Sequence, residues 1–372
     1  MKYDYLIVGA GFSGCVLAER IATQLGKKCL IVEKRNHIGG NCYDYYDDQG
    51  VLIHKYGPHI FHTQMKKVWD YLSQFTEWID YEHKVKAVID GKEVPVPFNF
   101  NSIEIAFNEE RAQELILLLK EKYGEGVKIP ILTLRKTDKE ELKELADFIY
   151  EYIFLGYNIK QWNMKPEDLD PSVSGRVPVF LSRDDRYFQD KFQAIPKHGY
   201  TKLFQKLINH KNIHIQLQTD YKNIIHNISY DKMIYTGHID YFYDFKLGKL
   251  PYRTLNFDFQ TIDKEFYQSG AQINYPNDYD YTRITEFKHL TKQDHKKTTI
   301  AYEYPKDYIF GENDPYYPIP KEDNLNLFSK YKELADKEKN VFFVGRLADY
   351  KYYNMDQTIG VALQLFENKI AK

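Results

Sequence analysis

Cysteine is nearly absent from this chain: Cys15, Cys29 and Cys42 are the only three in 372 residues. A sparse, odd count without regular spacing excludes a disulfide framework and a zinc ribbon. Long apolar runs are missing too. The longest aliphatic stretch, near Leu115 to Leu119, is far too short to span a membrane. No basic leader with an apolar core precedes the strand-like Met1 to Gly9, so no signal peptide is expected and a reducing cytoplasm is the default location. Neither sign of charge dominates, since 51 basic and 53 acidic side chains leave a formal net charge of -2. Nucleic-acid binding needs an electropositive footprint, which this balance does not supply. There is no internal repeat and no low-complexity linker.

What is present describes an ordinary globular chain. Hydrophobic residues make up 43% and charged residues 28%. The length suits two or three domains with a large core. Aromatics are abundant, with 33 Tyr and 23 Phe. Polar-tipped rings suit sugar or nucleotide clefts, but for most of them core packing is the better reading.

The first forty residues carry the clearest pattern. Tyr5-Leu6-Ile7-Val8 reads as a buried parallel strand. Gly9-Ala10-Gly11-Phe12-Ser13-Gly14 follows at once, and Cys15, Val16, Leu17, Ala18, Ile21 and Leu25 then recur at helical spacing. Cys29-Leu30-Ile31-Val32 reads as a second strand, ending in Glu33. Each glycine has a task in a dinucleotide-binding turn. Gly9 permits the tight turn, Gly11 lets the backbone approach a pyrophosphate, and Gly14 lets helix and strand pack closely. The helix N-terminus offers free N–H groups to phosphates. Glu33 can accept from a ribose 2′-OH and would repel a 2′-phosphate. The continuation Glu33-Lys34-Arg35-Asn36-His37-Ile38-Gly39-Gly40-Asn41 is similar to flavoproteins of the glutathione reductase and amine oxidase type. FAD is therefore the leading cofactor, with NAD the alternative.

Farther on, His54-Lys55-Tyr56-Gly57-Pro58-His59-Ile60-Phe61-His62-Thr63 contains a Gly-Pro turn and three histidines. No acidic or cysteine partner shares a metal-ligand spacing with them, so no metal is expected. The functional reading is a loop against the isoalloxazine ring.

These motifs, taken with later ones, resemble the UDP-galactopyranose mutase family of bacterial type. The later ones are Gly156-Tyr157-Asn158-Ile159-Lys160-Gln161-Trp162, Gly175-Arg176-Val177-Pro178, Arg186-Tyr187-Phe188 and Tyr281-Thr282-Arg283-Ile284-Thr285-Glu286. Tyr302-Glu303-Tyr304, Pro315-Tyr316-Tyr317-Pro318, Val344-Gly345-Arg346-Leu347 and Tyr350-Lys351-Tyr352-Tyr353-Asn354-Met355 complete the series, which covers nearly the whole chain.

The resemblance implies an α/β fold: a discontinuous Rossmann-like FAD-binding domain with an inserted helical-bundle domain and an antiparallel β-sheet domain. The expected spans are 1–80, 196–240 and 335–372 for the FAD-binding domain. They are 100–190 for the helical domain with a mobile loop, and 81–99 with 241–334 for the sheet domain. The residues permit this division. Strand-like, glycine-punctuated stretches lie at the start, near Ile213 to Gly237, and from Val341 onward. Between Ser102 and about Lys165 the pattern is helical, with a stripe of Leu115, Leu118, Leu119, Leu142, Leu145 and Phe148 that suits a bundle core. From Tyr243 to Tyr304 apolar and polar residues alternate, as in an antiparallel sheet.

The activity implied is interconversion of a UDP-hexopyranose and a UDP-hexofuranose for surface polysaccharide synthesis, with N5 of reduced FAD as nucleophile at the anomeric carbon. The same resemblance implies a homodimer supplied with electrons by a cellular flavin reductant. The catalytic set it implies is Arg176, Arg283, His62, Tyr316 and Tyr352. Its substrate-binding set is Phe154, Tyr157, Trp162, Tyr187, His83, Asn274 and Asn354. Its cofactor-binding set is Gly9, Gly11, Ser13, Gly14, Glu33, Lys34, Arg35, Gly40, Asn41, His59, Ile60, Arg346 and Met355. Guanidinium groups suit a diphosphate because each can meet two phosphate oxygens. Lys160 and Glu303 are weaker candidates. Asp168 to Pro171 reads as a turn leading into the loop. The chain departs from the family pattern at His83, where Asn is usual, at Asn354, where Asp is usual, and at Tyr279-Asp280-Tyr281, where Val-Pro-Tyr is usual. It is also one residue shorter after Asn274. These departures leave open another nucleotide sugar. An oxidoreductase of the amine oxidase type, which shares the flavin domain, is the alternative activity.

Overall fold

The computed structural model describes residues 2–170 and 175–372. Pro171, read from the sequence as the end of a turn, lies outside the described residues.

The apolar run at the start becomes the middle strand of a five-stranded parallel sheet. The order is Ile213–Gln216, Cys29–Val32, Lys2–Val8, Ser229–Tyr235, Val341–Phe343. Leu6 and Ile7 are fully buried, as a strand covered on both faces requires. On one face the helices Phe12–Gln24, Tyr200–Leu207 and Met355–Leu365 share a core with Ile7, Ile31 and Ile234. On the other, Tyr221, Tyr241 and Phe242 pack with Leu6, Leu30 and Tyr235. Three widely separated stretches of chain thus build one Rossmann-like layer.

A seven-stranded sheet forms the second layer. Its order is Tyr317–Pro318, Tyr252–Ile262, Thr298–Asp307, Arg283–Glu286, Gln272–Asn274, Val85–Ile89, Lys92–Val96. Most ladders are antiparallel, as the alternation predicts. One differs: Gln272–Asn274 runs parallel to Val85–Ile89. These two strands are joined through most of the helical region rather than by a hairpin, and a long connection permits parallel pairing. The hairpin 85–96 turns on Asp90 and Gly91, both at positive φ, as a tight two-residue turn demands.

Between the layers in sequence lie the helices Phe100–Ala106, Glu109–Tyr123, Ile131–Leu134 and Glu140–Ile149. Leu115, Leu119, Leu142 and Leu145 are buried in their common core, with Leu118 and Phe148 packed against it. The helix from Glu140 then widens into a π-type turn over Tyr150–Leu155 before continuing as Gly156–Trp162. Gly156 is required there. A Cβ at this position would lie 2.5 Å from the Pro276 carbonyl and from Asn277 Oδ1. All three cysteines are buried and free.

Burial also neutralises histidines. It pushes His54 down to about 4, and His59, His83 and His238 down to about 3. In the unfolded chain each takes up its proton near its ordinary value of 6.5. Below that pH the unfolded state binds more protons, so stability falls as pH drops from about 6.5. The slope is roughly 1.4 kcal/mol per pH unit for each histidine fully engaged. The thermal midpoint should therefore hold above pH 6.5 and decline steadily to pH 5. A flat profile across that window would contradict the buried, neutral assignment.

Candidate active site

Two cavities lie near each other: Arg346, which lines the larger, stands 5.5 Å from the Tyr352 ring and 5.9 Å from the Tyr317 ring, both of which line the smaller. The larger, about 610 Å³, opens beyond the carboxyl ends of the parallel strands. Gly9 turns the chain at φ +106°, and the helix Phe12–Gln24 begins directly after Gly11. Gly14 lies against its own turn, where an added Cβ would stand 2.0 Å from the Gly9 carbonyl oxygen. Gly11 has only Gly40 nearby, its hypothetical Cβ being 3.9 Å from the Gly40 Cα. A side chain at Gly11 would project into the cavity, whereas one at Gly14 would force helix and strand apart.

Glu33 closes the turn. Its Oε2 accepts from the Ala10 N–H and its Oε1 from the Arg35 N–H, both at 2.9 Å. Each oxygen keeps a further lone pair on the cavity wall. Arg35 is fixed by Asp314 at 2.7 Å, by Asn41 at 2.9 Å and by the Tyr56 ring at 4.4 Å. Ser13, Lys34, Gly40, Asn41, His59, Arg346 and Met355 also line this cavity. Gly14 does not line it but supports it. Ile60 lies in an apolar cluster with Ile53, Ile195 and Phe287 instead. Thr219, Asp220, His238, Tyr241 and the stretch 310–314 complete the wall. No motif in the sequence pointed to them.

The smaller cavity holds about 150 Å³. The π-type turn and the helix Gly156–Trp162 supply Phe154, Tyr157 and Trp162, and the sheet supplies Asn274 and Arg283. Arg176, Tyr187 and Tyr352 close it. The Tyr317 ring stands 4.8 Å from Tyr352 and 5.8 Å from Trp162. Lys160 pins this helix to the loop after Asn274, donating to the carbonyls of Tyr275 at 2.9 Å and Asn277 at 3.3 Å.

Arg283 is the best-fixed cation. Its Nε donates to Glu303 Oε2 at 2.8 Å, across a pair of neighbouring strands. Burial works against the charge, but Glu303 with Tyr157 and Tyr317 holds the guanidinium protonated. Burial in turn raises Glu303 above the usual carboxylate range, while Arg283 opposes it. His59 lines the larger cavity. Burial is the main cause of its low pKa, and Arg346 and Arg283 lie close enough to lower it further. Its Nδ1 meets the Gly57 carbonyl at 2.8 Å. A carbonyl only accepts, so Nδ1 carries the proton and Nε2 is the free acceptor. Arg346 donates to the Tyr316 carbonyl at 3.2 Å and the Tyr353 carbonyl at 2.6 Å.

Four residues expected at the substrate stand elsewhere. Tyr316 packs in a cluster with Tyr56 and Leu255, while its neighbour Tyr317 lines the cavity. Tyr316 precedes the strand Tyr317–Pro318, and Tyr317 touches both that cluster and the cavity. His62 pairs with Asp190 at 2.7 Å and stacks on Phe188 at 3.6 Å. His83 is wholly enclosed, with Tyr81 at 3.3 Å and Gln272 as polar neighbours and the Tyr187 ring at 5.7 Å. It touches Gln272 and Tyr187, which do line the cavity. Asn354 meets Arg176 rather than the cavity itself. Asn158, Gln161, Gln272 and Tyr317 are cavity residues that the sequence reading missed. All lie within two residues of a motif residue that was found.

The two glycines separate stability from ligand binding. Gly14→Ala should lower stability by about 3 kcal/mol, because overpacking here meets backbone. Gly11→Val should fold with a near-normal thermal midpoint yet carry no dinucleotide. Midpoint and adenine dinucleotide released on denaturation, measured on both variants, check this. A Gly11→Val protein with full dinucleotide content would remove the assignment of this cavity.

Comparison with known proteins agrees with this geometry. A family model described as UDP-galactopyranose mutase matches residues 152–352, and one described as an NAD(P)-binding Rossmann-like domain matches residues 7–75. A protein of Klebsiella pneumoniae named probable UDP-galactopyranose mutase is 41% identical, covering 97% of this chain and 93% of its own. The dTDP-fucopyranose mutase of Escherichia coli is 36% identical, covering 96% of each. The crystal structure of a reduced UDP-galactopyranose mutase superposes with a TM-score of 0.76 at 17% identity, covering 100% of this chain and 94% of the other. That structure speaks for the fold alone. The relatives, alike from end to end, and the model matched across both the helix of Tyr157 and the strand of Arg283 place this chain in the UDP-galactopyranose mutase family.

Proposed function

We propose that this enzyme is a flavin-dependent isomerase that interconverts a UDP-hexopyranose and the corresponding UDP-hexofuranose, with UDP-galactose the first substrate to test. The observation that carries the reading is the pairing of cavities. A dinucleotide-sized cavity adjoins a smaller one that contains two guanidinium groups and a ring-lined end. Two cations suit a diphosphate. They do not suit an amine, which disfavours the oxidoreductase alternative.

The dinucleotide is FAD, held by the segments 1–80, 196–240 and 335–372. Gly11 and the helix after it would take the pyrophosphate, Glu33 the ribose, and His59, Arg346 and Met355 the flavin end. When bound and reduced, FAD supplies a nucleophilic N5 for the anomeric carbon. The chain's own residues do the rest. Tyr157 and Trp162 would hold the base. Arg283, aimed by Glu303, presents its outer N–H groups to the diphosphate, and Arg176 faces it from the other side. Holding the departing charge between them stabilises the leaving group and keeps it in reach for return. Tyr187, Tyr317, Tyr352 and Asn274 would orient the sugar. No helix among the described residues is long and apolar enough to cross a membrane. The same reading has the enzyme act as a homodimer in the cytoplasm, reduced by a cellular flavin reductant, in surface polysaccharide synthesis. The family resemblance in sequence supports these last points.

The similarity to a dTDP-fucopyranose mutase makes a second sugar nucleotide worth equal trial. The decisive experiment is turnover by dithionite-reduced enzyme on UDP-galactose, UDP-N-acetylgalactosamine, UDP-arabinose and dTDP-fucose. Ring-contracted product should form without consumption of reductant, and oxidised enzyme should be inactive. Equal turnover by the oxidised enzyme, or one reducing equivalent used per product, would sink the mechanism. Arg283→Ala should lower kcat by about a hundredfold or more with FAD content intact. Arg283→Lys, which keeps a charge beside Glu303, controls for folding. A fully active Arg283→Ala enzyme would displace the site.

A further inference from the structure

The two guanidinium groups of the smaller cavity are held in different ways. Arg283 is paired with a carboxylate. Arg176 is not: its Nη2 donates to Asn354 Oδ1 at 2.6 Å and its Nη1 to the Tyr352 carbonyl at 3.4 Å. Its guanidinium carbon stands 4.0 Å from the centre of the Tyr352 ring. Carboxamide, carbonyl and ring are all uncharged. Arg176 is therefore fixed in direction while its charge is left uncompensated by these partners.

Asn354 is a rigid mount for this purpose. Its N–H donates to Gln357 Oε1 at 2.9 Å, and its carbonyl accepts from the Thr358 N–H and hydroxyl, both at 3.0 Å. It directly precedes the helix Met355–Leu365, whose first turn is tied down by Thr63 donating to Asp356 at 2.9 Å. Met355 and Thr358 of that turn line the larger cavity. Asn354 thus adjoins residues of the larger cavity while its Oδ1 accepts from Arg176, which lines the smaller.

We infer that Asn354 is a positioning residue for Arg176, a neutral acceptor that aims the guanidinium at the cavity and leaves its full charge for an incoming diphosphate. The inference rests on the diphosphate reading of the cavity. The physical reason is a difference in exchange. When a diphosphate arrives, an Arg–carboxamide bond gives way to charge-assisted bonds, which are stronger. A carboxylate in the same place would already hold such bonds. It would have to be abandoned or shared, and its charge would repel the ligand. Asparagine at 354 therefore favours occupancy by a dianionic ligand over a self-paired empty site.

The probe is UDP, titrated into the oxidised FAD-loaded protein. Asn354→Asp should raise the Kd for UDP by at least about tenfold at low salt. The thermal midpoint should be unchanged or higher, since Asp is as good a helix-capping residue as Asn and adds a favourable charge at a helix N-terminus. With turnover, KM should rise much more than kcat falls. In an Arg176→Ala background the penalty of Asn354→Asp should shrink at least threefold, because the competing ion pair cannot form. An unchanged Kd in Asn354→Asp overturns the inference. So does an equal penalty with and without Arg176, which would mean that residue 354 acts on the ligand directly. A lowered midpoint or lost FAD in Asn354→Asp would assign the residue to holding the helix and overturn it as well. Wild-type protein that does not bind UDP would overturn both this inference and the diphosphate reading. Binding by wild type with strictly additive variants would overturn this inference alone.

Discussion

The buried pair between Arg283 and Glu303 is the constraint on which the smaller cavity depends. Glu303 is 1% exposed and its Oε1 has no partner among the described residues. Removing both charges from water is expensive, and a half-satisfied carboxylate makes it more so. Such a pair survives only if its geometry is enforced from outside. Here the enforcement is strand register: Arg283 and Glu303 sit directly opposite each other in adjacent antiparallel strands. A slip of one residue in either strand would turn its member of the pair to the other face. The register in turn sets where the free edge of the guanidinium points, and so where the smaller cavity lies relative to His59 and the larger one. A costly interaction of this kind is poor evidence for stability and good evidence for a site.

The parts of this arrangement that are local in sequence were legible before any coordinates. The glycine turn, Glu33 and the helix from Gly156 to Trp162 each encode their own geometry within a few residues. Tertiary packing adds to them but does not redirect them. The residues that misled did so because their direction is settled by distant partners. Tyr316 and Tyr317 are indistinguishable in a Pro-Tyr-Tyr-Pro string, and only pairing of that strand with Tyr252 and Arg253 decides which ring faces the cavity. His83 looks like a polar group for the sugar, yet Tyr81 lies beside it and Gln272, almost two hundred residues on, engages it. Ile60 and His62 alternate out of the loop that holds His59. The stretch from Phe310 to Asp314 was invisible for the same reason. Its role depends on Arg35, which lies far away in sequence.

The abundance of tyrosine also finds a physical account. Many of the rings form contiguous edge-to-face and stacked sets, such as Tyr275, Tyr279, Tyr281 and Tyr302 on the sheet. Others, such as Tyr200 and Tyr235, are completely buried. Their hydroxyls reach backbone carbonyls of His59 and His238. A ring with one polar atom fills core volume and ends a carbonyl's search for a donor. Tyr157, Tyr187 and Tyr317, near Arg283, and Tyr241, beneath Lys222, combine exposure to a cavity with a neighbouring cation.

The discontinuity of the parallel sheet has a consequence for how the chain is made. Its central strand, Lys2–Val8, is made before its partners and finds Cys29–Val32 soon after. The partner on its other side, Ser229–Tyr235, is about two hundred residues away. At roughly 5–20 residues per second, that edge stays unpaired on the order of ten to forty seconds. The strand Val341–Phe343 and the helix Met355–Leu365 that cover the finished layer come later still. An apolar strand edge left open that long is a template for pairing with another nascent chain. The fold therefore ties the protein's yield to whatever shields that strand during synthesis, and the larger cavity cannot be completed until Arg346, Met355 and Thr358 have been made.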